Sequence, residues 1–155
     1  MADNADLIRQ LYEAMDGHDG DAMAKLYAPD ARFRDPAFGE LSGAEAGDMW
    51  RMLTGRSEDL RVELAEHEAH GDTGTARWIA TYTFRTGRPV VNDIRAEFRF
   101  RDGKITEHRD SFSFWRWSRQ ALGPIGLAFG WTPLLRAAVR KRARSDLADF
   151  RRAGR

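Results

Sequence analysis

The chain has 155 residues, 42% hydrophobic and 32% charged, which suits one globular domain large enough to bury a core of its own. It has no cysteine, which excludes disulfides and thiolate metal centres; it has no apolar run long enough to span a membrane; and its net charge of +1 gives no global field to favour nucleic acid. The acidic opening MADNADLIRQ lacks the pattern of a secretion signal, so a cytoplasmic location is the expectation.

Leu7, Ile8, Leu11, Tyr12 and Met15 recur at helical spacing, and Asp3 or Asn4 can cap that helix. Gly17 to Gly20 breaks the pattern. A shorter helix carrying Ala22, Met23, Leu26 and Tyr27 is expected to end before Pro29. Ala31 to Asp35 alternates as a short strand, which Pro36 ends. Ser42 and Glu45 fit a capping box and predict a helix through Met49, Trp50 and Leu53.

Strands dominate the next stretch. Leu60, Val62 and Leu64 alternate with charges, and Gly71 to Gly74 turns the chain. Trp78, Ala80, Tyr82 and Phe84 share one face. After the turn Thr86 to Pro89, so do Ile94, Ala96, Phe98 and Phe100. Asp102-Gly103 turns again, and Ile105 to Phe114 reads as the last strand. Helices followed by a meander of half-buried strands predict an α+β domain with an antiparallel sheet. Residues 115–131 are apolar and glycine-rich, and Thr132-Pro133 opens a final helix with Leu134, Leu135, Ala138, Val139, Leu147 and Phe150 on its apolar side. Residues 133–155 carry eight Lys/Arg against Asp146 and Asp149, a tail of +6 on a remainder of −5.

Two passages carry a family resemblance. Leu26-Tyr27-Ala28-Pro29-Asp30-Ala31-Arg32-Phe33-Arg34-Asp35-Pro36 resembles the "Y-A-x-D-A-x-x-x-D-P" passage of the NTF2-like superfamily. Gly103-Lys104-Ile105-Thr106-Glu107-His108-Arg109-Asp110 is similar to the "G-K-I-x-E-H-x-D" last-strand passage of its SnoaL-like members. The resemblance covers roughly residues 5–120. It implies a cone-shaped, strongly bent sheet with N-terminal helices enclosing a cavity. The expected division is a SnoaL-like domain over 1–120 and a helical extension over 121–155 packed on it. The superfamily includes ketosteroid isomerases, polyketide cyclases, limonene epoxide hydrolases and non-enzymatic members, commonly homodimers.

The resemblance maps the acid/base aspartate of the cyclases onto Asp110, with His108 two residues before it, and the isomerase general base onto Asp35. A carboxylate in an apolar pocket suits proton shuttling, whereas an Asp before Pro also serves simply to end a strand. The isomerase oxyanion-hole tyrosine falls on Leu11, one residue from Tyr12, and its aspartic acid falls on Ala96, so true ketosteroid isomerase activity is not expected. Tyr12, Trp50, Trp78, Tyr82, Phe98 and Phe112 are candidate ligand contacts; core packing is the plainer role for each. Whether His108 and Asp110 face inward depends on the hairpin before them. A two-residue turn would put Glu107 opposite Phe98 and bury Glu107 and Arg109. A three-residue loop would pair Phe98 with Thr106 and Ala96 with His108, turning His108 and Asp110 inward at lower cost, and is the expected register.

Cofactor-free acid/base chemistry on a small hydrophobic ring compound is therefore expected, against a non-catalytic apolar pocket or an assembly role. Epoxide hydrolysis is a weaker option needing Asp35, Arg77 or Arg109, and Asp110 together. His18, His67 and His70 sit at loops and turns, and no histidine spacing or phosphate-loop motif predicts a metal or a nucleotide. For the C-terminal segment, packing on the domain is the expected role. A lid formed by Leu122 to Trp131 is compatible with it, and a partner or anionic-membrane surface is the alternative.

Overall fold

The computed structural model describes residues 3–153; Arg155 of the basic tail lies outside them. Asp3 caps α1 (Asn4–Asp16) by accepting from the Asp6 N–H. The helix α2 (Gly20–Ala24) follows at once. It stops before Tyr27, which opens β1 (Tyr27–Asp35) instead of closing a helix. Pro29 lacks an N–H, and the ladder is irregular between Tyr27 and Arg32, so the strand starts earlier than its alternation suggests. A strand of four residues that the sequence did not announce, β2 (Gly39–Ser42), leads into α3 (Gly43–Arg56), and the Ser42–Glu45 capping box is formed in full.

The meander is β3 (Arg61–His70), β4 (Thr73–Thr83), β5 (Pro89–Arg101) and β6 (Lys104–Ser111). These four strands pair antiparallel as expected. The sheet order is β2-β1-β6-β5-β4-β3, and β1 joins β6 in parallel, a pairing that meander logic does not foresee. Bulges in β3 and β6 and the irregularity in β1 help the sheet curl, since each extra residue bends its strand. The edge strand β3 carries charges on its exposed positions, which protects it from pairing with other chains.

β6 ends at Ser111, so Phe112 and Phe114 are not strand residues. Ser113 caps α4 (Phe114–Leu122), which is followed by α5 (Pro124–Phe129) and α6 (Pro133–Ala153). The main core lies between the concave sheet face and α1 and α3, with Leu11, Met15, Phe33, Met49, Phe98 and Ile105 fully enclosed. A second cluster of Val90, Phe114, Trp117 and Ala121 sits beyond it, and Tyr82 and Phe112 touch both. No helix among the described residues is long and apolar enough to cross a membrane.

Candidate active site

The hairpin register decides which side chains meet in the concave sheet. Asp102 and Gly103 both have positive φ, 53° and 75°, as a two-residue type I′ turn requires. Phe100 accordingly pairs with Ile105. A bulge at Thr106 then inserts one residue, so that Arg99 pairs with Glu107, Phe98 with His108 and Ala96 with Asp110. The three-residue loop expected from the sequence is therefore wrong, and so is its pairing of Phe98 with Thr106. The inward placement of His108 and Asp110 survives because turn and bulge together achieve the same change of face. His108 is 1% and Asp110 5% exposed. Glu107 points outward and pairs with Arg99 at 3.3 Å.

A chain of hydrogen bonds runs through this wall. Trp50 Nε1 donates to the Tyr27 hydroxyl at 3.0 Å, Tyr27 Oη lies 2.7 Å from His108 Nδ1, and His108 Nε2 lies 2.8 Å from Asp110 Oδ1. The direction of the chain follows from chemistry. An indole N–H can only donate, so Tyr27 accepts from Trp50; an ionised Asp110 can only accept, so the neutral His108 ring keeps its proton on Nε2 and its bare Nδ1 takes the Tyr27 proton. The imidazole proton then sits on Nε2 and is donated to Asp110. Both ring nitrogens are occupied, so His108 orients Asp110 and has no free nitrogen facing a ligand. Phe98 and Phe33 hold the imidazole at centroid distances of 4.4 and 5.0 Å. Burial, and next the Asp110 charge, push the Tyr27 hydroxyl well above the usual tyrosine range, which keeps it a donor. Tyr27 was missed as a site residue because the sequence reading put it on a helix. Its place four residues before the alternating Ala31–Asp35 run was the available signal.

Tyr12 and Trp78 face the same interior, with ring centroids 5.1 Å apart. The Tyr12 hydroxyl and Trp78 Nε1 are buried, and neither makes a well-formed hydrogen bond within the protein, although Trp78 lies close enough to the hydroxyl to oppose the rise in its pKa. Burial, with Asp110 and Tyr27 as further causes, raises the Tyr12 hydroxyl well above its ordinary range. Two buried donors without acceptors are costly unless something else occupies them.

Asp35 lies at the end of β1, in step with inward-facing Phe33. Its carboxylate accepts from the Phe38 N–H at 2.6 Å, so it does cap the turn. Burial nevertheless raises its pKa to about 7, helped by the Asp110 charge and opposed by the Phe38 and Ala37 N–H groups and by Arg140. The turn hydrogen bond of Asp35 thus does not offset the effect of its burial. The half-buried Tyr82 hydroxyl accepts from Trp117 Nε1 at 2.8 Å. Trp117 was not foreseen, although Phe114, Trp117, Ser118 and Ala121 after a serine show helical spacing. Phe112, half-buried, reaches the same region from the link between β6 and α4. The arginines required for epoxide chemistry do not join the site. Arg77 pairs with Asp93 on the outer face, and Arg109 is exposed. His67 and His70 are solvated, and His18 Nε2 lies 2.8 Å from the Leu60 carbonyl oxygen.

α6 lies across one side of this region. Arg144 donates to the carbonyls of Phe38 and Glu40, Asp146 pairs with Arg85 at 2.9 Å, Arg151 binds Asp48 at 2.9 Å, and Leu147 enters the main core. The apolar strip whose sequence is compatible with a lid does not fold inward; Ile125, Leu127, Phe129 and Trp131 are exposed.

A family model described as a SnoaL-like domain matches residues 8–108. No curated protein matches the chain. Among solved structures, a hypothetical protein of ketosteroid isomerase-like fold from Catenulispora acidiphila, in complex with trimethylamine, is 24% identical with a TM-score of 0.67, covering 82% of this chain and 97% of that one. An LEH-like epoxide hydrolase from M. tuberculosis is 19% identical with a TM-score of 0.66, covering 80% and 93%. These two likenesses concern the fold. Wild-type IdmH from Streptomyces antibioticus, a candidate polyketide cyclase, is 25% identical with a TM-score of 0.61, covering 74% and 95%.

Proposed function

The chain belongs to the SnoaL-like domain family, and from that premise we propose that it performs cofactor-free acid/base chemistry on a small hydrophobic ring ketone. The observation that carries this reading is the buried Trp50–Tyr27–His108–Asp110 chain beside the two unpartnered donors of Tyr12 and Trp78. Asp110 takes a proton from the carbon next to the substrate carbonyl. The electron pair moves onto the carbonyl oxygen, where the Tyr12 O–H and Trp78 N–H receive the developing charge. His108, fixed by Tyr27, holds Asp110 in place. Asp35, with a pKa near 7, returns a proton at the far end of the ligand. Capture of the enolate by a proton gives an isomerase, and its attack on a second carbonyl gives a cyclase. Asp110 lies directly opposite Ala96, the position onto which the resemblance maps the isomerases' aspartic acid, and this supports a carboxyl serving that neighbourhood from the adjacent strand. Trp50, Tyr82, Phe98 and Phe112 form the apolar surround. In this reading the SnoaL-like domain over 1–120 holds the ligand, the extension over 121–155 packs on it through α6, and the protein is a homodimer, which light scattering tests.

Deuterium exchange tests the chemistry. The protein is incubated with β-tetralone in D2O, and loss of the proton signal next to the carbonyl is followed. Exchange above the buffer rate is expected, falling roughly 100- to 10,000-fold in Asp110→Asn and less in Asp35→Asn. Exchange that survives Asp110→Asn removes Asp110 from the chemistry. The fully satisfied His108 favours a second reading, non-catalytic binding or a structural role. Ligand-induced thermal stabilisation without any exchange would support the binding form of it.

A further inference from the structure

Six large apolar side chains are exposed among the described residues, and five of them, Ile125, Leu127, Phe129, Trp131 and Leu134, fall within ten consecutive positions. Trp131 is 69% and Leu134 84% exposed. Such a cluster calls for a partner, since exposed apolar groups are ordinarily scattered. The fold holds it rigidly outward. A Cβ on Gly126 would lie 1.8 Å from the Ser118 carbonyl oxygen, and one on Gly130 would lie 2.1 Å from Ser118 Oγ. The inner side of α5 is therefore bare backbone pressed on α4, and its apolar side chains have only the outside to occupy. Trp131 Nε1 donates to the Ala128 carbonyl at 3.0 Å, fixing its ring at the end of the projection.

The charge along this stretch of chain has one sign. From Ser111 to Ser145 the chain contains seven Lys/Arg and no Asp or Glu. Arg119 stacks on Trp115 at 4.8 Å, and Trp115 Nε1 donates to the Leu127 carbonyl, so a cation flanks the projection on the α4 side. Arg136 lies over Phe114 at 5.4 Å on the α6 side.

We propose that the α5–α6 projection docks the protein on a bilayer surface rich in anionic lipid headgroups, with Trp131, Phe129 and Leu134 entering the interface and the surrounding arginines meeting the headgroups. An apolar tip ringed by cations, with tryptophan at its margin, matches the interfacial zone of a membrane in both chemistry and order. A second copy of the chain is a poorer occupant, because two-fold pairing through this face would set Arg119 and Arg136 of one copy against those of the other. Nucleic acid would satisfy the arginines but leave the aliphatic centre without a counterpart.

The test is flotation of the full chain with vesicles of phosphatidylcholine alone or with one-third phosphatidylglycerol, at low and at high salt. Binding to the anionic vesicles only, lost at high salt, is expected. Trp131→Ser with Leu134→Ser should abolish it. Arg119→Gln with Arg136→Gln and Lys141→Gln should weaken partition roughly 100-fold, from about a fivefold loss per cation. All these positions are exposed, and unchanged melting temperatures confirm that the variants fold. Equal binding to neutral vesicles, no binding to either, or binding that survives both variants overturns the proposal. A dimer abolished by Trp131→Ser with no vesicle binding would assign the face to self-association instead.

Discussion

The Tyr27 hydroxyl takes a hydrogen bond from one buried ring and gives one to another. Tyr27→Phe keeps the ring and strands Trp50 Nε1 and His108 Nδ1 together, so a loss of about 2–3 kcal/mol in urea unfolding is expected. A loss below about 0.5 kcal/mol would mean that the two groups are satisfied elsewhere. Asp35 makes a prediction about pH. Its folded pKa of about 7 stands above its ordinary value of 3.8, so between those two pH values the folded chain holds a proton that the unfolded chain has released. Stability contributed by this group is full below the lower value and is lost as pH rises through about 7. Asp35→Asn keeps an acceptor for the Phe38 N–H and cannot ionise. The variant should gain about 2–4 kcal/mol on wild type between pH 4 and pH 8, measured by urea titration. An unchanged difference between the two would show that Asp35 titrates as an exposed carboxyl does.

At the scale of elements, faces were legible in the sequence and registers were not. The alternation of Ile94, Ala96, Phe98 and Phe100 reports burial directly, because period two is a property of the strand itself. The bulge at Thr106 has no signature in side-chain type; it exists because an unbulged type I′ hairpin would turn Glu107 and Arg109 into the core. Deleting Thr106 should therefore remove the bulge while leaving Glu107 opposite Arg99 and His108 opposite Phe98, so the variant should fold with near-native near-ultraviolet circular dichroism. A deletion variant that loses its native dichroism would show that the bulge itself, and not only the faces it sets, is required for folding. The strand β2 escaped notice because four residues are too few to show a period. Tyr27 was misplaced because the helical pattern of α2 ran on into Leu26 without a visible stop. The parallel pairing of β1 with β6 is a long-range choice that no local pattern records. The helix starts were legible, since a Ser, Thr or Asp cap satisfies specific N–H groups and is written in single residues.

Across the whole molecule, a curled sheet and two helices enclose a polar chain in an aromatic core, and α6 ties the two sides of that enclosure together. Its buried Leu147 sits in the main core, and Ala143 and Phe150 pack against the same cluster. Leu147→Ala should cost about 2–4 kcal/mol in urea unfolding, whereas a cost below about 1 kcal/mol would make α6 a loosely held appendage. The central claim is that this enclosure fixes one direction of proton donation, from Trp50 through Tyr27 and His108 to Asp110. Long-range proton–nitrogen correlation spectra of the His108 ring test it most directly. A protonated Nε2 and a bare Nδ1 are expected, with the pattern disturbed in Tyr27→Phe. A proton on Nδ1, or a ring exchanging freely between tautomers, would contradict it.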